Sequence, residues 1–244
     1  MNRRRFTIAS TLTGITVMGL PGLAFGMQQY SEAELTGKGN PELYGGRIGL
    51  KKEAYRAFLA MKTAALKEGI RIKVVSGYRS FDRQKSIWEQ KYNAFTAQGA
   101  SPAEAIREII AYSTIPGTSR HHWGTDIDII DDNAVYEGDV LVPEKFDEGQ
   151  PFFKLKKWLD DHAAAFGFYL VYTDNPDRKG FNYEPWHYSY APVSIPMLKA
   201  YRKLDVKKIL RQESLSGSSH FTAAFTEQYI RENILDINPV LLQP

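Results

Sequence analysis

The stretch Thr118–Asp131, "TSRHHWGTDIDIID", is where the reading of this chain turns. It sets two adjacent histidines, three aspartates and one glycine within fourteen residues. Beyond Gly124 the residues alternate, with Thr125, Ile127 and Ile129 on one face of a strand and Asp126 and Asp128 on the other. The isoleucine face predicts a sheet packed on a core. The opposite face sets two carboxylates side by side, an arrangement that is costly unless positive charge lies near. A cation is the simplest compensation, and His121 stands just before the strand, across a glycine that lets the loop fold back. Taken alone, the cluster fits a metal site, an acid–base pair or a polar loop.

Working outward, the flanking segments read as alternating helices and strands. Ala54, Phe58, Met61 and Ala65 recur at three- and four-residue steps, predicting a helix over 50–68 that Gly69 ends. Ile70, Ile72 and Val74 then alternate with Arg71 and Lys73 as a half-buried strand. Ser80 caps a second helix carrying Trp88, Tyr92 and Phe95, and Ser101-Pro102-Ala103-Glu104 is a capping box that opens a third. A helix over 152–166 stops at Gly167, "FYLVY" (168–172) is a strand, and "FNYEPWHYSY" (181–190) reads as another. Two helical segments, "SIPMLKAYRKL" and "FTEQYIRENIL", close the chain. Without repeats or linkers, this is an α+β chain with a single domain, a small antiparallel sheet flanked by helices.

The chain has 244 residues, 43% of them hydrophobic, and no cysteine. Disulfides, cysteine nucleophiles and thiolate metal sites are therefore excluded, and a metal must be held by His, Asp or Glu. Arg3, Arg4 and Arg5 precede an uncharged segment running from Phe6 to Gly26. This is the pattern of an export signal over 1–26, with "NRRRFT" similar to a twin-arginine signal. Residues 27–48 are polar and Gly-rich, an irregular segment before a domain over 49–244. Without 1–26 the formal charge falls from +3 to zero, so the composition gives no argument for nucleic-acid binding. Processing of the signal would leave no stable membrane span, and a periplasmic or otherwise exported location is expected.

The second polar motif is "YEPWHYSY". In a regular strand Glu184 and His187 project to opposite faces, so both reach one site only if the backbone bends near Pro185-Trp186. A buried histidine bonded to a nearby acid is the simpler reading of this motif alone. Together the two motifs meet the specification of a hydrolytic zinc: three His/Asp/Glu ligands and a carboxylate base nearby. His121, Asp128 and His187 can supply the ligands and Glu184 the base.

"SRHHWGTDID" resembles the Ser-x-His-x-x-Gly-x-x-x-Asp motif of the zinc D-alanyl-D-alanine carboxypeptidases of the VanY type. "EPWH" is similar to their Glu-x-Trp-His motif, and "SGYRSFDRQ" to their upstream Ser-Gly-Tyr-Arg-Ser segment with its following glutamine. The resemblance implies the small α+β fold shared with the Hedgehog signalling domain, and one Zn2+ held by His121, Asp128 and His187. Glu184 stands at the general-base position and Arg79 at that of the arginine steadying the oxyanion. Ser119 and Gln84 match substrate-contacting positions, and Ser76 and Trp186 are further candidates for the cleft. The implied reaction removes the C-terminal D-alanine of a peptidoglycan stem peptide. An L,D-carboxypeptidase or endopeptidase on the same zinc site, or a non-catalytic wall-binding module, are the alternatives. Asp126 departs from the family, which usually has a small residue there; it could add a ligand or raise the local negative charge, or form a hydrogen bond behind the ligands or a salt bridge to a base such as Arg120.

Overall fold

The computed structural model describes residues 30–212 and 214–243; the expected export signal lies outside the described residues. The helices are α1 (Glu32–Leu35), α2 (Lys52–Lys67), α3 (Phe81–Ala97), α4 (Pro102–Ile110), α5 (Phe153–His162), α6 (Ala191–Tyr201), α7 (Val206–Gln212) and α8 (Ala223–Tyr229). Four strands, β1 (Ile72–Ser76), β2 (Asp126–Asp131), β3 (Phe168–Leu170) and β4 (His187–Tyr190), form one sheet in the order β1-β2-β4-β3. Every neighbouring pair is antiparallel. The α+β expectation is met.

Local signals hold where they were strongest. Ser80 accepts a bond from the Arg83 amide, and Ser101 and Glu104 close the expected capping box. Each satisfies amides that a helix start would otherwise leave unpaired. Gly167 takes the left-handed conformation that ends the α5 region. The segment 27–48 is less irregular than expected, since it contains α1 and a short 3-10 turn at Gly46–Ile48.

The sheet separates two environments. Ile127 and Ile129 of β2, with Ile72, Phe168 and Tyr188, pack against Phe58 and Met61 of α2 and Leu155 and Trp158 of α5. A second cluster, built around Trp88, Ile109, Trp123, Tyr201 and Tyr229, joins α3, α4, α6, α7 and α8. Opposed residues in an antiparallel ladder share a face. The register sets Asp126 against Ser189, Ile127 against Tyr188 and Asp128 against His187, so all the polar members lie on one side.

On the other flank Val74 pairs with Ile129 and Ser76 with Asp128, leaving Val75 as the extra residue of a β-bulge. The bulge moves Ser76 to the polar side. Gly77 follows with its backbone pressed on Ile48: a Cβ there would lie 1.9 Å from the Ile48 carbonyl oxygen.

Two strands are shorter than expected, and "FYLVY" is strand only over Phe168–Leu170. Only His187–Tyr190 of "FNYEPWHYSY" is strand. The preceding Glu184-Pro185-Trp186 is a turn in which the His187 amide donates to the Glu184 carbonyl at 3.0 Å. Proline is compatible with that turn and not with a paired central strand.

Candidate metal centre

The turn at Pro185 supplies the bend that the sequence required, and Glu184 and His187 reach one place. His121, Asp128 and His187 each offer a donor atom, all within 4.8 Å of one another and all buried. His121 Nε2 and Asp128 Oδ1 have no hydrogen-bond partner among the described residues. Buried polar atoms without partners are costly, and their convergence on one point is the signature of a ligand cradle. His121 Nε2 lies 3.4 Å from Asp128 Oδ2, and the two imidazole rings are 4.7 Å apart between centroids.

Each imidazole is fixed through its other nitrogen. His121 Nδ1 lies 2.7 Å from the Gly77 carbonyl, so this nitrogen donates and Nε2 is left for a metal. His187 Nε2 lies 3.1 Å from Asp126 Oδ1, while Nδ1 lies 2.9 Å from Glu184 Oε2 and 3.9 Å from Asp128 Oδ1. The Tyr172 ring meets His187 edge-on at 5.1 Å. Ser119 caps the Arg120–Trp123 turn by accepting the His121 amide, and Gly124 ends that turn at φ 66°. Few residues other than glycine tolerate that value, and a Cβ there would also strike Leu43 at 2.7 Å.

His122 points the other way. Its Nδ1 donates to the Arg79 carbonyl at 2.6 Å, and its Nε2 accepts the Gly117 amide at 3.2 Å. Burial lowers its pKa to about 3, so it is a neutral structural pin holding Arg79. Arg79 is also held by its amide on the His121 carbonyl at 3.1 Å and by Nη1 on Gln84 Oε1 at 2.9 Å. Its Nε is buried without a partner.

Two residues expected to contact substrate are hydrogen-bonded within the protein, and Ser119 lines a small pocket with Arg79, His121, Glu184 and His187. Gln84 is fully buried, donating to the Thr114 carbonyl at 2.8 Å and accepting from Arg79, so it supports Arg79 instead of facing the cleft. Ser119 is 1% exposed and occupied with the His121 amide. Ser76, Arg79, Glu184, Asp128 and Trp186 do line a common cleft of about 690 Å³, with Arg47, Arg83 and Lys91 on its walls. Asp131, at the end of β2, is buried and accepts the amides of Arg71 and Asn133.

The electrostatics follow the packing. Burial raises the Glu184 pKa, against the opposing pull of His187. Burial also works against ionised Asp126, but the Arg120 guanidinium and His187 outweigh it and hold its carboxyl well below the usual range. Asp128 is lowered too, its burial outweighed by His121, His187 and Arg79. Burial lowers His121, while bonds to Asp126 and Glu184 overcome burial at His187 and raise it to about 9. Metal binding through His187 would require loss of one of its protons.

Two imidazoles and a carboxylate facing one point, with a second carboxylate beside them at a cleft, form the donor arrangement of mononuclear metal hydrolases. A sequence model of the VanY family, described as D-alanyl-D-alanine carboxypeptidase, matches residues 47–193, and the chain belongs to that family. It is 36% identical to the Bacillus subtilis protein YodJ over 142 residues, 58% of this chain and 46% of that one. It is 29% identical to the D-alanyl-D-alanine carboxypeptidase of Enterococcus faecalis over 151 residues, 62% of this chain and 51% of that one. The chain thus spans about half the length of these curated relatives. Among solved structures, VanYB in complex with D-alanine-D-alanine is similar at TM-score 0.51 and 25% identity, over 71% of this chain and 88% of that one.

Proposed function

We propose that this chain is a zinc-dependent D,D-carboxypeptidase that removes the C-terminal D-alanine of peptidoglycan stem peptides. The observation that carries the proposal is the convergence of His121, Asp128 and His187, with His121 Nε2 and Asp128 Oδ1 unpartnered, beside Glu184 and Arg79 at one cleft. The donor set fits zinc: two imidazoles and a carboxylate, with no thiolate in the chain. The D-alanine-D-alanine bound by VanYB supports the choice of substrate.

Zinc held by His121, Asp128 and His187 would supply Lewis acidity toward the scissile carbonyl and would lower the pKa of a water toward about 7. Glu184, raised by burial, takes the proton of the attacking water and returns it to the leaving amine. Arg79, held from three sides, presents its guanidinium to the oxyanion that develops on the carbonyl oxygen. Arg47, Arg83 and Lys91 offer the cleft cations that can pair with a peptide carboxylate, among the acidic Asp139 and Glu144 of the same walls. Ser76 and Trp186 contact the peptide, while Gln84 and Ser119 act from behind, through Arg79 and His121.

Digestion of defined muropeptides, followed by liquid chromatography and mass spectrometry with parallel metal analysis, tests the reading. Release of one alanine from pentapeptide stems is expected. Release from tetrapeptides alone would make it an L,D-carboxypeptidase, and an internal fragment would make it an endopeptidase. A zinc-free protein that binds peptidoglycan without cutting it would be a wall-binding module.

An exported location completes the proposal. Its support is Arg3–Arg5 followed by the uncharged segment to Gly26, and a substrate that lies outside the cytoplasm. Among the described residues no helix is long and apolar enough to cross a membrane. Cell fractionation with N-terminal sequencing checks both export and cleavage.

A further inference from the structure

Asp126 is the residue that the family motif does not explain. It is fully buried, on the same face of β2 as Asp128, yet it is absent from the converging donors. Its two oxygens are instead taken up by four neighbours. Oδ1 accepts from Arg120 Nε at 2.9 Å and lies 3.1 Å from His187 Nε2. Oδ2 accepts from the Thr125 hydroxyl at 2.5 Å and the Ser189 hydroxyl at 2.9 Å. Arg120 is itself fixed, with Nη2 on Ser189 at 2.7 Å and its guanidinium 4.8 Å above the Trp123 ring.

The arrangement has a chemical consequence. A carboxylate with its charge matched by an adjacent guanidinium accepts from its neighbours and makes a poor further ligand for a cation. Facing His187 Nε2, it can only accept, so that nitrogen must carry the proton. The lone pair left on a singly protonated ring is then on Nδ1, the nitrogen that faces Asp128 and Glu184. His121 reaches the same end through a neutral carbonyl, that of Gly77. The two ligands are therefore oriented by different devices, and only that of His187 is charged and carried on a side chain.

We propose that Asp126 is a positioning residue which, paired with Arg120, locks His187 as the Nε2–H tautomer and directs Nδ1 to the metal, without ligating the metal itself. The proposal rests on the zinc reading above and adds to it which nitrogen binds and what fixes it.

The test uses the full chain, zinc-loaded, with 15N-labelled histidine. Long-range proton–nitrogen correlation spectra are expected to show a proton on His187 Nε2 and none on Nδ1. A His187 protonated on Nδ1 and bare on Nε2 overturns the proposal. Zinc affinity, read by chelator competition, supplies an independent measure. Asp126→Ala alone leaves Arg120 buried without its partner and can fail by unfolding. The double variant R120M/D126A removes both charges and isolates the loss of the His187 contact. Its zinc dissociation constant is expected to rise about 10- to 100-fold. R120M/D126N, whose amide oxygen can still accept from Nε2–H, should recover part of that loss. Affinity of R120M/D126A within twofold of the parent protein would refute the positioning role. A parent protein that binds no zinc would remove the metal reading first, and this inference with it.

Discussion

The two faces of β2 carry the same strand into opposite kinds of order. On one face Ile127 and Ile129 are fully buried among aliphatic and aromatic side chains, where stability comes from contact and exclusion of water. On the other, Asp126 and Asp128 are just as deeply buried, but each must answer for its charge. Asp126 does so with Arg120, a fixed internal partner. Asp128 keeps one oxygen unpartnered, and that is the atom offered to the cradle. The lesson is that depth does not separate structural from functional residues here. Between these two aspartates, whether the hydrogen bonding is complete does.

Substitutions on the polar side should remove function and leave the fold, and those on the apolar side should do the reverse. The largest effect is expected for His121→Ala: zinc lost on metal analysis and turnover with it, while the metal-free protein melts as before. A concerted loss of cooperative melting would mean that the cradle is structural. Next, Glu184→Gln should keep zinc and reduce kcat about 10²- to 10⁴-fold, the span of a general base. Full turnover in that variant would show that the base lies elsewhere. Across the sheet, Ile129→Ala should cost about 2–5 kcal/mol in urea unfolding, with zinc affinity of the folded fraction unchanged. A change in zinc affinity there would couple the two faces.

The smallest effect concerns His122. It is neutral when folded, with a pKa near 3, and takes a proton when unfolded below about 6.5. The unfolded state therefore binds more protons between those values, and stability falls as pH drops below 6.5 by about 1.4 kcal/mol per unit. Comparing His122→Gln with the parent protein at pH 7.5 and 5.5 should show a shallower acid loss in the variant. Equal slopes would mean that His122 is not held neutral.

Much of the architecture was legible because its signals are local. The Ser101 capping box, the Ser80 cap and the alternation after Gly124 act within a few residues, so the sequence displays them directly. The candidates for the proposed metal trio were legible too, since one histidine and the strand aspartate lie seven positions apart in one motif. What was not legible depends on pairing between distant segments. The turn at Glu184–Trp186 looks like strand because its aromatic alternation continues into β4, and Pro185 alone does not say where the ladder starts. Gln84 could be matched to a motif position, but its partners, Arg79 and Thr114, are brought to it by separate elements. The burial of Asp131 is not legible for the same reason, because the Arg71 amide that occupies it is sixty residues away.

The β-bulge at Val75 works as a change of phase within a short strand. Upstream of it, Ile72 and Val74 are in step with the core. Downstream, Ser76 is in step with Asp128, and the chain runs on through Gly77 to Arg79 along the cleft. One segment thus serves two sides of the sheet, and a single extra residue insulates them. Changes in core packing can be absorbed before the bulge without rotating Arg79 away from the cleft. Deleting Val75 would merge the two phases, altering the cleft of a protein in which every metal ligand is intact.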